Sequence, residues 1–143
     1  MSMLRSLGVI VVFLATSVAG TAQMKLFDNF NTYACGYTDS ATFTLQASAH
    51  IGKIQVWYHW RSHESSVRYT IFRNKQAVGD GVLSRGECDP YQDAWCLADD
   101  SAGMNLDRGT YTIQTERPRV CQNDGSGGVG FVKVFGHFTR IHE

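Results

Sequence analysis

From Lys53 to Arg61 the chain alternates apolar and polar side chains, with Trp57 as a large aromatic on the polar side. Ile54, Val56, Tyr58 and Trp60 fall on one side; Gln55, Trp57, His59 and Arg61 fall on the other. Successive side chains of an extended strand point to opposite faces, so this period of two predicts a strand half-buried in an antiparallel sheet. The period recurs along the chain. Phe43, Leu45 and Ala47 alternate with Thr42, Thr44 and Gln46; Val67, Tyr69 and Ile71 mark a strand over Val67 to Arg73; Tyr111 and Ile113 mark one over Thr110 to Thr115. Val129 to Phe138 carries Phe131, Val132, Val134 and Phe135 and is apolar on both sides, which predicts a central strand or one covered on both faces. Ala77 to Ser84 is interrupted by Gly79 and Gly81, the signature of a bulge or an edge. Met24 to Asn31 reads as a short first strand or a strap across one end of the domain.

Turn residues punctuate these runs at Asp39-Ser40, Asn74-Lys75-Gln76, Leu106 to Gly109 and Gln122 to Gly128. Arg85 to Gly103 has no clear period and predicts a long irregular loop, held by a disulfide. About seven short strands and no helix predict an all-β domain, an antiparallel β-sandwich of jelly-roll-like form.

The first 22 residues follow a different rule. Arg5 supplies a charged start, Leu7 to Val18 is apolar but short for a bilayer span, and Gly20-Thr21-Ala22 places small residues for cleavage before Gln23. Residues 1–22 are therefore expected to be a signal peptide and 23–143 a single mature domain, secreted or periplasmic, with no membrane span after cleavage. Without Arg5 the count is 12 basic against 13 acidic residues. So even a balance argues against non-specific nucleic-acid binding, which needs a basic patch.

Four cysteines remain, Cys35, Cys88, Cys96 and Cys121, and an even number in an exported chain predicts two disulfides. Three pairings are allowed. Cys88–Cys96 with Cys35–Cys121 is favoured, because the first closes a short loop and the second ties the start of the domain to its last third.

Three segments stand in a suggestive order: Trp57-Tyr58-His59-Trp60, then Gly109-Thr110-Tyr111-Thr112, then Asn123 followed by Ser126-Gly127-Gly128-Val129-Gly130-Phe131. Their order and spacing resemble small exported bacterial β-domains of unassigned activity, over roughly Phe43 to Gly136. The resemblance implies a β-sandwich and an export route; it carries no known catalytic residue.

Candidate chemistry centres on the outward side of the first strand described. Trp57 beside His59 and Arg61 offers an indole for stacking among hydrogen-bonding groups, with Tyr91 and Trp95 from the long loop as rim. The expected function is a non-enzymatic binding module for a glycan or a protein partner. Two alternatives are a hydrolase of envelope polymers, with Glu64 and a loop aspartate as its carboxylate pair, and an inhibitor presenting the Cys88–Cys96 loop to a target. His59, His63 and Glu64 together offer a metal or acid–base set. Asp89, Asp93, Asp99 and Asp100 offer oxygen ligands that suit calcium, without the order of an EF-hand. No cofactor is otherwise expected, and no Gly-x-Ser-x-Gly or His-Glu-x-x-His motif occurs. Oligomeric state is not specified by any of these signals.

Overall fold

The computed structural model describes residues 23–31 and 34–139. The expected signal peptide and the last four residues of the expected domain lie outside the described residues. Eleven strands form: β1 (Met24–Asp28), β2 (Gly36–Thr38), β3 (Ser40–Leu45), β4 (Ala49–His59), β5 (Ser66–Arg73), β6 (Gln76–Asp89), β7 (Gln92–Asp100), β8 (Met104–Leu106), β9 (Gly109–Thr115), β10 (Val120–Gln122) and β11 (Val132–Phe138). A 3-10 turn, Asp124–Ser126, precedes β11.

The domain is all-β and antiparallel, as the alternation predicts, and stapled by two disulfides, as the cysteine count predicts. The strands number eleven rather than about seven, and they share one sheet that nearly closes into a barrel. Its main path runs β1-β11-β4-β7-β6-β5-β9-β3, with β8 and β10 on the flank of β4 and β2 outside β10. Part of the excess comes from Arg85 to Gly103. Instead of an irregular loop, it supplies the end of β6, all of β7 and the lead into β8, with Cys88 paired opposite Cys96. Its polar side chains and uneven period reflect a twisted hairpin with two register shifts.

The two ends of the sheet meet where residue 130 crosses β3. Ala41 and Gly130 form an isolated bridge, and the Gly130 N–H donates to the Ser40 carbonyl at 3.1 Å. A Cβ at Gly130 would sit 2.4 Å from that carbonyl oxygen, so only glycine allows the approach. Phe27 of β1 then meets Phe43 of β3, ring centroids 6.4 Å apart.

The interior is filled by the inward set of each strand. Ile54, Val56, Tyr58 and Trp60 are all buried, as their alternation predicts, and pack with Phe43, Tyr69, Ile71, Leu83, Tyr111, Ile113 and Val134. The Tyr69 hydroxyl donates to Asp100 Oδ2 at 2.5 Å within this interior. Burial and the Asp100 carboxylate both push the Tyr69 hydroxyl above its usual ionisation range.

A second, smaller core lies on the outside of the barrel. Trp95, Cys121 and Phe131 are buried there, with Phe30, Cys35 and Trp57 packed against them. The bridges are Cys35–Cys121 and Cys88–Cys96. No free cysteine occurs among the described residues, which fits an oxidising compartment. Among the described residues no helix is long and apolar enough to cross a membrane.

Candidate functional site

Strand β4 places Trp57 and His59 on the outer face by its own alternation, and sheet pairing decides what lies beside them. In β7, Leu97 stands opposite Trp57 and Trp95 opposite His59; in β11, Lys133 pairs with Gln55. Over this face runs the segment that follows β1. Asp28 Oδ1 accepts the Phe30 N–H at 2.9 Å, an Asx turn that ends the strand. Asn29 then accepts from the Val132 N–H at 2.7 Å and donates to the Gly130 carbonyl at 3.0 Å. Asn31 pairs its amide with that of Asn123, donating to Oδ1 at 3.0 Å. Held at these points, Phe30 meets Trp57 edge-on at 6.5 Å and Phe131 at 5.7 Å. Lys133 Nζ sits 4.4 Å from the centre of the Phe30 ring.

Between this segment and the β6–β7 hairpin a groove of about 480 Å³ opens. Its apolar wall is Phe30, Trp57, Trp95 and Leu97; its polar groups are Asn31, Glu87, Asp89, Gln92 and Lys133. The two indoles belong to neighbouring strands of one sheet, so their separation is set by strand pairing. Asp89 is partly committed to the hairpin turn, accepting the Tyr91 N–H at 2.8 Å.

Five residues were singled out from the sequence, and the structure separates them. Trp57 and Trp95 line the groove together. Trp95 is only 9% exposed, so it is a wall rather than a rim. His59 packs at 5.0 Å against Trp95 and at 5.6 Å against Tyr37, in a row where Tyr37 also stacks on Trp95 at 5.7 Å. Tyr91 is 94% exposed at the hairpin tip, and neither it nor Arg61 lines the groove. Phe30, Glu87, Gln92 and Lys133 were not foreseen. Phe30 lies in the segment read as a strand or a strap, and its position over Trp57 comes from the Asn29 and Asn31 contacts. Lys133 is an ordinary outward position of β11 until β11 pairs with β4.

Glu64 has other business. It sits in a tight turn after β4, where Oε1 accepts the Arg61 N–H at 2.9 Å and also the Arg119 guanidinium, while Oε2 accepts from Arg117. The Arg119 side chain is 10% exposed, its guanidinium lies 5.5 Å from the centre of the Tyr58 ring, and it donates to the Tyr58 hydroxyl at 3.2 Å. Burial raises the Glu64 pKa, but the Arg61 N–H and the charges of Arg119 and Arg117 outweigh it and hold the carboxyl below its usual range.

Among the described loop aspartates, Asp89 serves the hairpin turn and Asp100 binds Tyr69, while the Glu64 carboxylate is taken by arginines. Asp99 and Asp100, as successive strand residues, point to opposite faces. The His59, His63 and Glu64 set is not assembled, since His63 is exposed in the turn while His59 packs edge-on against Trp95. Among the described residues, no group of three or more histidine, cysteine, aspartate or glutamate side chains is placed to hold a metal ion.

Fold and groove together define a disulfide-stapled, nearly closed antiparallel β-barrel domain with an aromatic-walled groove on its outer face. Compared with known proteins, the chain matches no family model and no curated protein.

Proposed function

We propose that this is an exported, non-enzymatic binding domain whose outer groove takes a glycan. The observation that carries the reading is the pair Trp57 and Trp95 on one wall of an open groove, faced by amides and charged groups. Indole faces stack on the apolar faces of sugar rings, while Asn31, Gln92, Glu87 and Lys133 are suited to the hydroxyl rim of the same rings. Such sites, largely apolar with a few oriented polar groups, are the usual form of small-ligand sites. The groove is built between two disulfide-held segments, so little ordering entropy is lost on binding. The resemblance to exported bacterial β-domains and the apolar start of the chain support export to a periplasm or beyond.

Titration with soluble envelope and cell-surface oligosaccharides should quench tryptophan fluorescence, and Trp57→Ala should lower affinity at least tenfold. Base–aromatic and protein hot-spot aromatics lose comparable amounts on truncation. Quenching that survives Trp57→Ala, or its absence across a broad panel, rejects the glycan reading.

One observation favours a second reading. Tyr91 is fully displayed at the tip of a hairpin clamped by Cys88–Cys96. A rigid loop with an aromatic tip suits insertion into a target's cleft, as an inhibitor would use it. For that reading Tyr91→Ala should reduce capture of the target at least tenfold and leave glycan quenching intact; equal capture by the variant rejects it.

A further inference from the structure

We propose that His50 and His137 form a binding site for one divalent transition-metal ion of the zinc or nickel type, on the outer face of the barrel. The two residues stand directly opposite each other on the antiparallel strands β4 and β11, with ring centroids 5.3 Å apart. A ring nitrogen binds Zn²⁺ at roughly 2.0–2.1 Å, which puts the ring centre about 3.2 Å from the ion. Two such rings at a tetrahedral angle have centres about 5.2 Å apart. The observed centroid spacing matches that distance.

A backbone irregularity creates this pairing. Phe135 pairs with Lys53, yet Gly136 pairs with Ile51, so Gly52 is an extra residue on β4. Continued without that bulge, the register would set His137 opposite Ile51, whose side chain is buried inside the barrel. The bulge shifts the partner by one and brings two imidazoles to the same outer face, as bulges do where a side chain must be re-aimed. It also presses the strands together at Gly136, where a Cβ would sit 2.0 Å from the His50 carbonyl oxygen.

A third strand supplies the orienting contact. Asn105 of β8 pairs with His50, and its Oδ1 lies 2.9 Å from His50 Nδ1. An amide oxygen accepts, so Nδ1 carries the proton and Nε2 presents its lone pair. Metal-binding histidines characteristically have the second ring nitrogen held in this way. Neutral imidazole suits zinc, copper and nickel, and solvent would complete the coordination. Asn105 is a positioning residue in this arrangement.

The test uses the mature, disulfide-intact domain with Zn²⁺ and Ni²⁺ as probes. Calorimetric titration should give one ion per chain, with the imidazole resonances of His50 and His137 shifting together. His50→Asn or His137→Asn should each weaken binding at least tenfold, Asn105→Ala by several-fold to tenfold, and His63→Asn should change nothing. Absence of one-to-one binding overturns the proposal. So does binding that shifts other histidines, or that persists unchanged in both single variants. If a variant fails to fold, the resonance shifts of the parent protein decide the matter.

Discussion

Replacing Cys35 and Cys121 together by serine should lower stability by about 4.5 kcal/mol, the larger of the two disulfide effects. The bond spans 86 residues, and the entropy removed from the unfolded chain grows with the loop it closes; the Cys88–Cys96 bond spans 8 and is worth about 2.5 kcal/mol on the same scale. Domains of this size are stable by only about 5–15 kcal/mol, so the long bridge carries a large share. The consequence is also local. Cys35 and Cys121 belong to the small outer core with Phe30, Trp57 and Trp95. Urea titration should show a lower midpoint in the double-serine variant, and folded-state tryptophan emission should move to longer wavelength as Trp57 and Trp95 gain solvent. A loss smaller than that of the Cys88/Cys96 variant would mean that strand pairing alone holds the segment of Cys35 and β2 in place. Glycan binding should weaken with the emission shift, since one wall of the groove depends on this segment.

Glu64→Ala should cost about 3 kcal/mol, because it strips the carboxylate from an arginine that is almost fully buried. The Arg119 side chain is 10% exposed and Glu64 15%, so neither charge is well solvated once the other is gone. Arg117 is more exposed and contributes less. The pH dependence has a definite sign. The Glu64 carboxyl is held below its usual range in the folded state. Its contribution is therefore complete above the unfolded pKa of about 4.3 and is lost as pH falls through the lower folded value. Below the unfolded value of about pH 4.3, stability of the parent protein should fall with acid more steeply than that of Glu64→Ala. Asp28, also depressed despite its burial, through Lys25, the Phe30 N–H and Lys133, keeps some acid dependence in both. Parallel curves from guanidinium titrations across that range would show that the Glu64–Arg119 contact contributes nothing to the acid response.

Much of the barrel is legible in the chain because strand alternation is a local signal. Ile54, Val56, Tyr58 and Trp60 differ from their neighbours in polarity, and that difference alone assigns them to the interior. Tyr69, Ile71, Tyr111 and Ile113 follow in the same way. The strand pairing over 85–100 is hidden because Gly86 and the register shifts near Cys88 break the period that would announce it. The candidate site is legible only in part. Trp57 is visible as an apolar residue on a polar face, whereas Trp95 appears as rim because a buried indole on a stapled hairpin looks like any loop tryptophan.

The amino-acid pattern by itself determined an all-β, antiparallel, twice-bridged domain and the inward set of its longest early strand, because polarity alternation and cysteine number are properties of neighbouring or countable residues. Only the tertiary structure decided that the strands share one nearly closed sheet, that Phe30 and Lys133 come to Trp57, that Glu64 answers to two arginines, and that a one-residue bulge faces His50 with His137. Each of these is a choice of partner between segments far apart in the chain, and that choice is made by packing, glycine-permitted close approach and register, none of which a local period encodes.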